Sequence, residues 1–289
     1  MNLSSDLTTS TAKPHLSIRP PSGWQALDLR EVWHFRDLLF SLAARDVKLR
    51  YRQTALGALW VLLQPLLGAG ILSFIFNRIA SLPTGGVPPL VFSYVGMLGF
   101  TLFSSTLSKA SSSLVGNSQL ISKVYFPRLI LPLSTILSSL VDFGVGLLML
   151  IVLMLIYRIA PTTALISMPL WIASILLLSV GFGLFFSAVM VTYRDVQYVL
   201  PVLISFLTFA SPIAYSVSFV VEKTPAELRS FYFLLNPLSG LLESLRWSLI
   251  GSSDVPWNYV GMASLISVVV FLGGLLSFRQ MEERFADVI

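Results

Sequence analysis

Residues 36–76 read RDLLFSLAARDVKLRYRQTALGALWVLLQPLLGAGILSFIF, a basic amphipathic segment that runs without a break into a fully apolar one. On a helical wheel Asp37, Ser41, Arg45, Lys48 and Arg52 fall on one stripe, spaced by four, four, three and four. Phe40, Val47 and Tyr51 fall on another face, with Leu38, Leu42 and Leu49 between the two. A helix of this kind lies in a membrane surface, its basic heads reaching toward anionic lipid or toward a partner. Leu56 to Phe76 then gives 21 residues without an ionisable group, enough helix to cover a hydrocarbon core of ~30 Å. The plainer reading is a basic flank that only orients the first span.

Composition generalises what this stretch says. Of 289 residues, 55% are hydrophobic and only 11% charged, with a mean hydropathy of +0.81, the profile of a polytopic all-α membrane protein. The net charge of +5 is no pointer to nucleic acid, because the basic residues cluster beside apolar spans. Cysteine is absent, which excludes disulfides, thiolate catalysis and Cys-ligated metals. The two histidines, His15 and His34, precede the first span and have no companion ligands, so no metal site is expected.

Residues 1–30 carry Ser, Thr and three prolines without an apolar core, and read as a flexible cytoplasmic tail rather than a signal peptide. Residues 31–55 form the amphipathic interface helix, 56–278 a domain of six spans, and 279–289 a second cytoplasmic tail. Hydropathy places the spans near 56–76, 88–107, 131–157, 168–192, 199–217 and 257–278. With the N-terminus inside, fourteen of the nineteen Lys and Arg residues fall on the inner side, so both termini are expected in the cytoplasm. Glycines at 96, 99, 181 and 183 are expected to permit close helix packing.

Two connections are more than linkers. The inner loop near 108–130 holds a short helix from Asn117 to Val124, ended by Pro127. The outer segment near 218–256 has two amphipathic runs, 225–235 and 238–250, separated by Asn236-Pro237; each is too short to span and reads as re-entrant or interfacial.

The chain lacks a phosphate-binding loop, a Ser-His-Asp set and paired intramembrane carboxylates, so no catalytic constellation emerges. Asp142 is the one ionisable group deep in an expected span. A charge there costs ~2.5–3.5 kcal/mol on insertion scales and must meet a partner or water. It reads either as a polar element of a conduit or helix contact, or as a protonated or Ser-paired structural residue. Tyr193-Arg194-Asp195 reads as a tight inner turn with an arginine anchor and an Asp cap.

RDVKLRYRQTALGALWVLLQPL resembles the interface helix and first-span entry of ABC-2 type permeases that export cell-surface polysaccharides. NSQLISKVYFPRLILPL is similar to their inner loop, through Asn117, Leu120, Ile121, Lys123, Val124, Phe126, Pro127 and Arg128. TYRDVQYVLP, SPIAYS (211–216), NPLSGLLESLR (236–246) and FRQMEERFADVI also resemble family signatures, and together these cover nearly the whole chain from residue 30 onward. The resemblance implies a homodimer in the bacterial cytoplasmic (inner) membrane, bound to two copies of a separate ATPase that carries the ATP and Mg2+. This chain itself would bind no cofactor. It also implies a lipid-linked polysaccharide cargo, such as an O-antigen, a capsule polymer or teichoic acid, moved outward.

On that footing Arg45, Lys48, Arg52, Asn117, Gln119 and Lys123 are expected to form the ATPase contact. Sugars present apolar C–H faces that aromatic rings can meet, so Phe74, Phe76, Phe206, Phe209 and Tyr215 are expected to line the path together with Asp142. The helices around Asn236 and Pro237 would act as an outer gate. Outer-end aromatics are also the usual interfacial belt, which is the plainer reading. An ABC-2 exporter of a small molecule or lipid shares the architecture. An intramembrane glycan transferase would need paired Asp, Glu or His groups near the interface, whereas Asp142 stands alone, and a proton-driven carrier is disfavoured for the same reason.

Overall fold

A computed structural model describes residues 29–52, 57–251 and 255–282, and every regular element among them is a helix. The expected tail over 1–30 lies almost wholly outside the described residues, as do 283–289 of the second tail and the side chain of Arg52.

The amphipathic stretch forms α1 (Leu29–His34) and α2 (Arg36–Arg52). The apolar stretch forms α3 (Gly57–Ser73), with Pro65 inside it, and passes into a π-helical turn over Phe74–Ile79. Pro88-Pro89 starts α4 (Pro89–Gly116), where a missing N–H costs nothing. α4 has 28 residues, well past the expected end at 107, so Lys109 belongs to a span rather than to a loop. The corner helix α5 is the single turn Ser118–Ile121, shorter than expected. Then follow α6 (Ile130–Ile156) and α7 (Met168–Thr192).

The expected span over 199–217 is not one continuous helix. α8 (Val196–Ala210) has 15 residues, and extended backbone from Ser211 separates it from the short α9 (Val217–Lys223). Fifteen residues rise only ~22 Å, short of a hydrocarbon core. The described residues therefore hold five helices long and apolar enough to cross a membrane: α3 with its π turn, α4, α6, α7 with the 3-10 turn before it, and α12 (Trp257–Glu282). Asn236-Pro237 separates α10 (Ala226–Leu235) from α11 (Leu238–Ile250), close to the expected boundaries. Gly251 closes α11 in the left-handed conformation that glycine adopts without strain.

α4 and α7 sit at the centre, while α3, α6 and α12 keep large apolar side chains such as Leu67, Leu148 and Leu265 exposed, as lipid-facing helices do. α7 and α12 meet backbone to backbone: a Cβ on Gly274 would stand 2.0 Å from the Gly181 carbonyl oxygen. α11 is buried along nearly its whole length against α4, α7 and α12, with Leu241, Leu242 and Leu245 inaccessible to solvent. It is amphipathic by sequence, yet it is core by position.

Candidate functional site

At one end of the bundle α2 buries Leu42 in a cluster with Leu114, Phe126, Leu129 and Ile130, and Ala43 is buried next to it in sequence. The opposite edge of α2 stays polar. Arg45 donates to Asp46 Oδ1 and, 72 residues away, to Asn117 Oδ1, each at 2.9 Å. Asn117 in turn donates from Nδ2 to the Ser113 carbonyl at 2.8 Å, and its own carbonyl receives Leu120 N–H and Ile121 N–H. One asparagine thus ends α4, starts α5 and holds the basic helix to the corner. Lys48, Gln119 and Lys123 are exposed on the same end. Beside them Val124 and Tyr125 are exposed, Tyr125 by 83%, while Phe126 turns inward. A basic, partly apolar and well-anchored surface results.

Asp142 stands behind this surface. Its carboxylate is ion-paired with Arg50 from α2 and, at 2.8 Å, with Lys109 from α4. Lys109 Nζ also donates to Ser138 Oγ at 3.2 Å and to Ser139 Oγ at 3.4 Å. The structure therefore makes Asp142 a tie between three helices. Neither Arg50, which lies off the basic stripe, nor Lys109 was singled out by sequence reasoning; the signal was present only as a lone intramembrane carboxylate in need of a counter-charge.

At the opposite end α8 stops and its last carbonyls need donors. Tyr232 Oη donates to the Ala210 carbonyl at 2.8 Å, and Asn236 Nδ2 donates to the same oxygen at 3.1 Å. Burial pushes the Tyr232 hydroxyl pKa up, which keeps the donor protonated. Tyr215 Oη adds a weaker bond at 3.3 Å to the Phe209 carbonyl. Asn77, in the π turn, donates to the carbonyls of Leu82 (3.2 Å) and Ala214 (3.1 Å).

Beneath this break lies the most buried charge among the described residues. Arg246 of α11 is 0% exposed, ion-paired with Glu243 one turn earlier, which is 2% exposed. Arg246 donates from Nη2 to the carbonyls of Pro212 (2.8 Å) and Ile213 (3.0 Å), and its guanidinium stacks 3.8 Å from the Phe92 ring centre. Gly96 makes this approach possible, since a Cβ there would stand 2.4 Å from the Ile213 oxygen and 2.8 Å from Arg246 Nη2. Non-helical backbone at such depth needs donors from the protein itself, and Arg246 supplies them. By sequence Arg246 falls in the outer segment, within the amphipathic run 238–250, where nothing local marks it as buried.

Of the aromatic residues expected to line a path, the structure brings Phe76 and Tyr215 together, with ring centres 5.8 Å apart. Phe74, Phe206 and Phe209 are exposed by 61%, 67% and 64%. Pro237 is buried at the start of α11 and Asn236 is buried at the end of α10. Among the described residues no cluster of His, Cys, Asp or Glu could hold a metal ion.

Apolar crossing helices, a surface helix tied to a corner, and a broken helix pinned by a buried arginine define a multi-pass membrane protein. The chain belongs to the ABC-2 type transporter family, whose sequence profile matches residues 37–250. It is 29% identical over 262 residues to an O-antigen export system permease protein, RfbA, of Myxococcus xanthus, covering 90% of this chain and 98% of that protein. Identity to the RfbA permease of Klebsiella pneumoniae is 26%, over 88% and 95% of the two chains. Identity to the polysialic acid transport protein KpsM of Escherichia coli is 29%, over 84% and 93%.

Proposed function

We propose that this chain is the permease subunit of an ABC exporter that moves a lipid-linked cell-surface polysaccharide outward across the bacterial cytoplasmic membrane. ATP is hydrolysed on a separate subunit, two copies of which bind a homodimer of this chain. The observation that carries the reading is the Arg45–Asn117 bond, which joins the basic helix to the corner and leaves Lys48, Gln119 and Lys123 exposed beside it. A partner pressing on that surface moves α2 and α4 together. Supporting the cargo class, relatives named for O-antigen export and polysialic acid transport align over 84% or more of the chain.

α8, the extended backbone after it and α9 together complete a sixth crossing, which returns both termini to the cytoplasmic side. α10 and α11 form a re-entrant pair from the outer side. Phe76, Tyr215, Phe206 and Phe209 then lie toward the outer half, where the second copy of the chain closes the path.

Co-purification with the ATPase, followed by measurement of which molecules stimulate hydrolysis, tests the reading. Lipid-linked glycans should stimulate, and small amphiphiles should not. Stimulation by small amphiphiles alone would reassign the chain to small-molecule export.

A further inference from the structure

Between α2, α4 and α6 lies a cavity of about 250 Å³, lined by Asp46, Arg50, Lys109, Ser138, Asp142 and the edge of Leu49. Each surrounding helix contributes a charge. Asp46 is bonded by Arg45 at 2.9 Å and so is already neutralised. Arg50 and Lys109 both address the same oxygen of Asp142, Oδ2. Two cations sharing one carboxylate leave a surplus positive charge over the cavity, together with N–H donors in a fork suited to phosphate oxygens. The apolar part of the cavity's rim is Val47 and Leu49, the latter exposed by 56% on the amphipathic helix α2. A soluble anion would gain nothing from that rim, whereas a lipid would lay its tail along it.

We propose that this cavity receives the phosphate or pyrophosphate head group of a lipid in the cytoplasmic leaflet, and that the head group competes with Asp142 for Arg50 and Lys109. Occupancy loosens the tie between α2 and α6, so the presence of the lipid is felt at the helix that faces the partner. The inference leans on the export reading only for why a lipid phosphate should be sensed. Binding is measured on the permease alone, without ATPase or transport, so its failure leaves the export reading standing.

The full chain is purified into phosphatidylcholine nanodiscs with a nitroxide on A44C, an exposed position of α2 in a chain without other cysteines. Polyprenyl pyrophosphate, phosphatidylglycerol and inorganic pyrophosphate are titrated separately. Binding of either lipid phosphate with increased label mobility is the expected result, and the stronger of the two identifies the source. K109Q should weaken lipid-phosphate binding by roughly tenfold or more, the loss of one charge-assisted hydrogen bond; K109R should restore most of it. D142N should leave the label mobile before any ligand is added and should bind the lipid more tightly. A response to inorganic pyrophosphate equal to that of the lipids overturns the lipid assignment. Unchanged binding in K109Q, or a label equally immobile in D142N and wild type, overturns the site or the release step respectively.

Discussion

Replacing Arg246 by Met should be among the most damaging single substitutions in the chain. Three interactions vanish at once: the ion pair to Glu243, the bonds to the carbonyls of Pro212 and Ile213, and the stacking on Phe92. Breaking a buried pair by removing one partner costs about 3–5 kcal/mol, mostly through the charge left behind. Here Glu243, at 2% exposed, cannot turn to water. Replacing both members, as E243L with R246M, removes the buried carboxylate as well. The double variant should therefore recover to within about 2 kcal/mol of wild type, the remainder being the two carbonyls that lose their donor. Equilibrium unfolding in mixed micelles, followed by tryptophan fluorescence, measures all three proteins. The reasoning is refuted if R246M unfolds within about 0.5 kcal/mol of wild type, or if the double variant is as unstable as the single one.

Adding one methyl group in G96A should cost about 1–3 kcal/mol, because its Cβ meets the Ile213 oxygen and Arg246 Nη2; the same unfolding assay reads it. Single cysteines placed in this cysteine-free chain should react with an impermeant reagent from outside at Thr224 and not at Gln119; strong outside labelling at 119 contradicts the proposed orientation. Reversing charge on the basic helix with K48E and R52E should release or uncouple the ATPase while membrane insertion persists, measured by co-purification and hydrolysis. Alanine at Phe209 and Tyr215 together should reduce polymer export with assembly and basal hydrolysis retained; normal export at matched expression returns these rings to the lipid belt.

The amphipathic helix and the paired short helices were legible because local chemistry states them. The basic stripe of Arg45 and Lys48 has helical period, and Asn236-Pro237 interrupts an apolar run at the point where α10 ends. The break after α8 was not legible by hydropathy, since Ser211 to Val221 stays apolar through the point where the helix stops. Pro212 was the one local sign, and proline in a span more often kinks than ends it. Glu243 and Arg246 look like a surface pair three residues apart; only their setting among Leu241, Leu242, Leu245 and Leu249 hinted at burial. Asp142 announced a missing partner, but Arg50 lies 92 residues away, and no local pattern specifies a pairing over that distance.

α4 joins what the sequence presents as separate sites. It carries Phe92 and Gly96 against the arginine clamp and, 13 residues after Gly96, Lys109 against Asp142. That separation is ~20 Å of continuous helix. α4 packs on α3, α6, α7 and α11 and exposes a narrow stripe near its C-terminal end, at Ser108, Ser112 and Val115. A displacement imposed where Asn117 ends the helix is therefore expected to reach the non-helical backbone at Pro212 and Ile213 largely as a shift of the rod. α8 is held differently: its carbonyl end is fixed by Tyr232 and Asn236, while Phe206 and Phe209 stand exposed. The exposed rings of α8 therefore lie a few residues before the Pro212 and Ile213 carbonyls that Arg246 holds against α4.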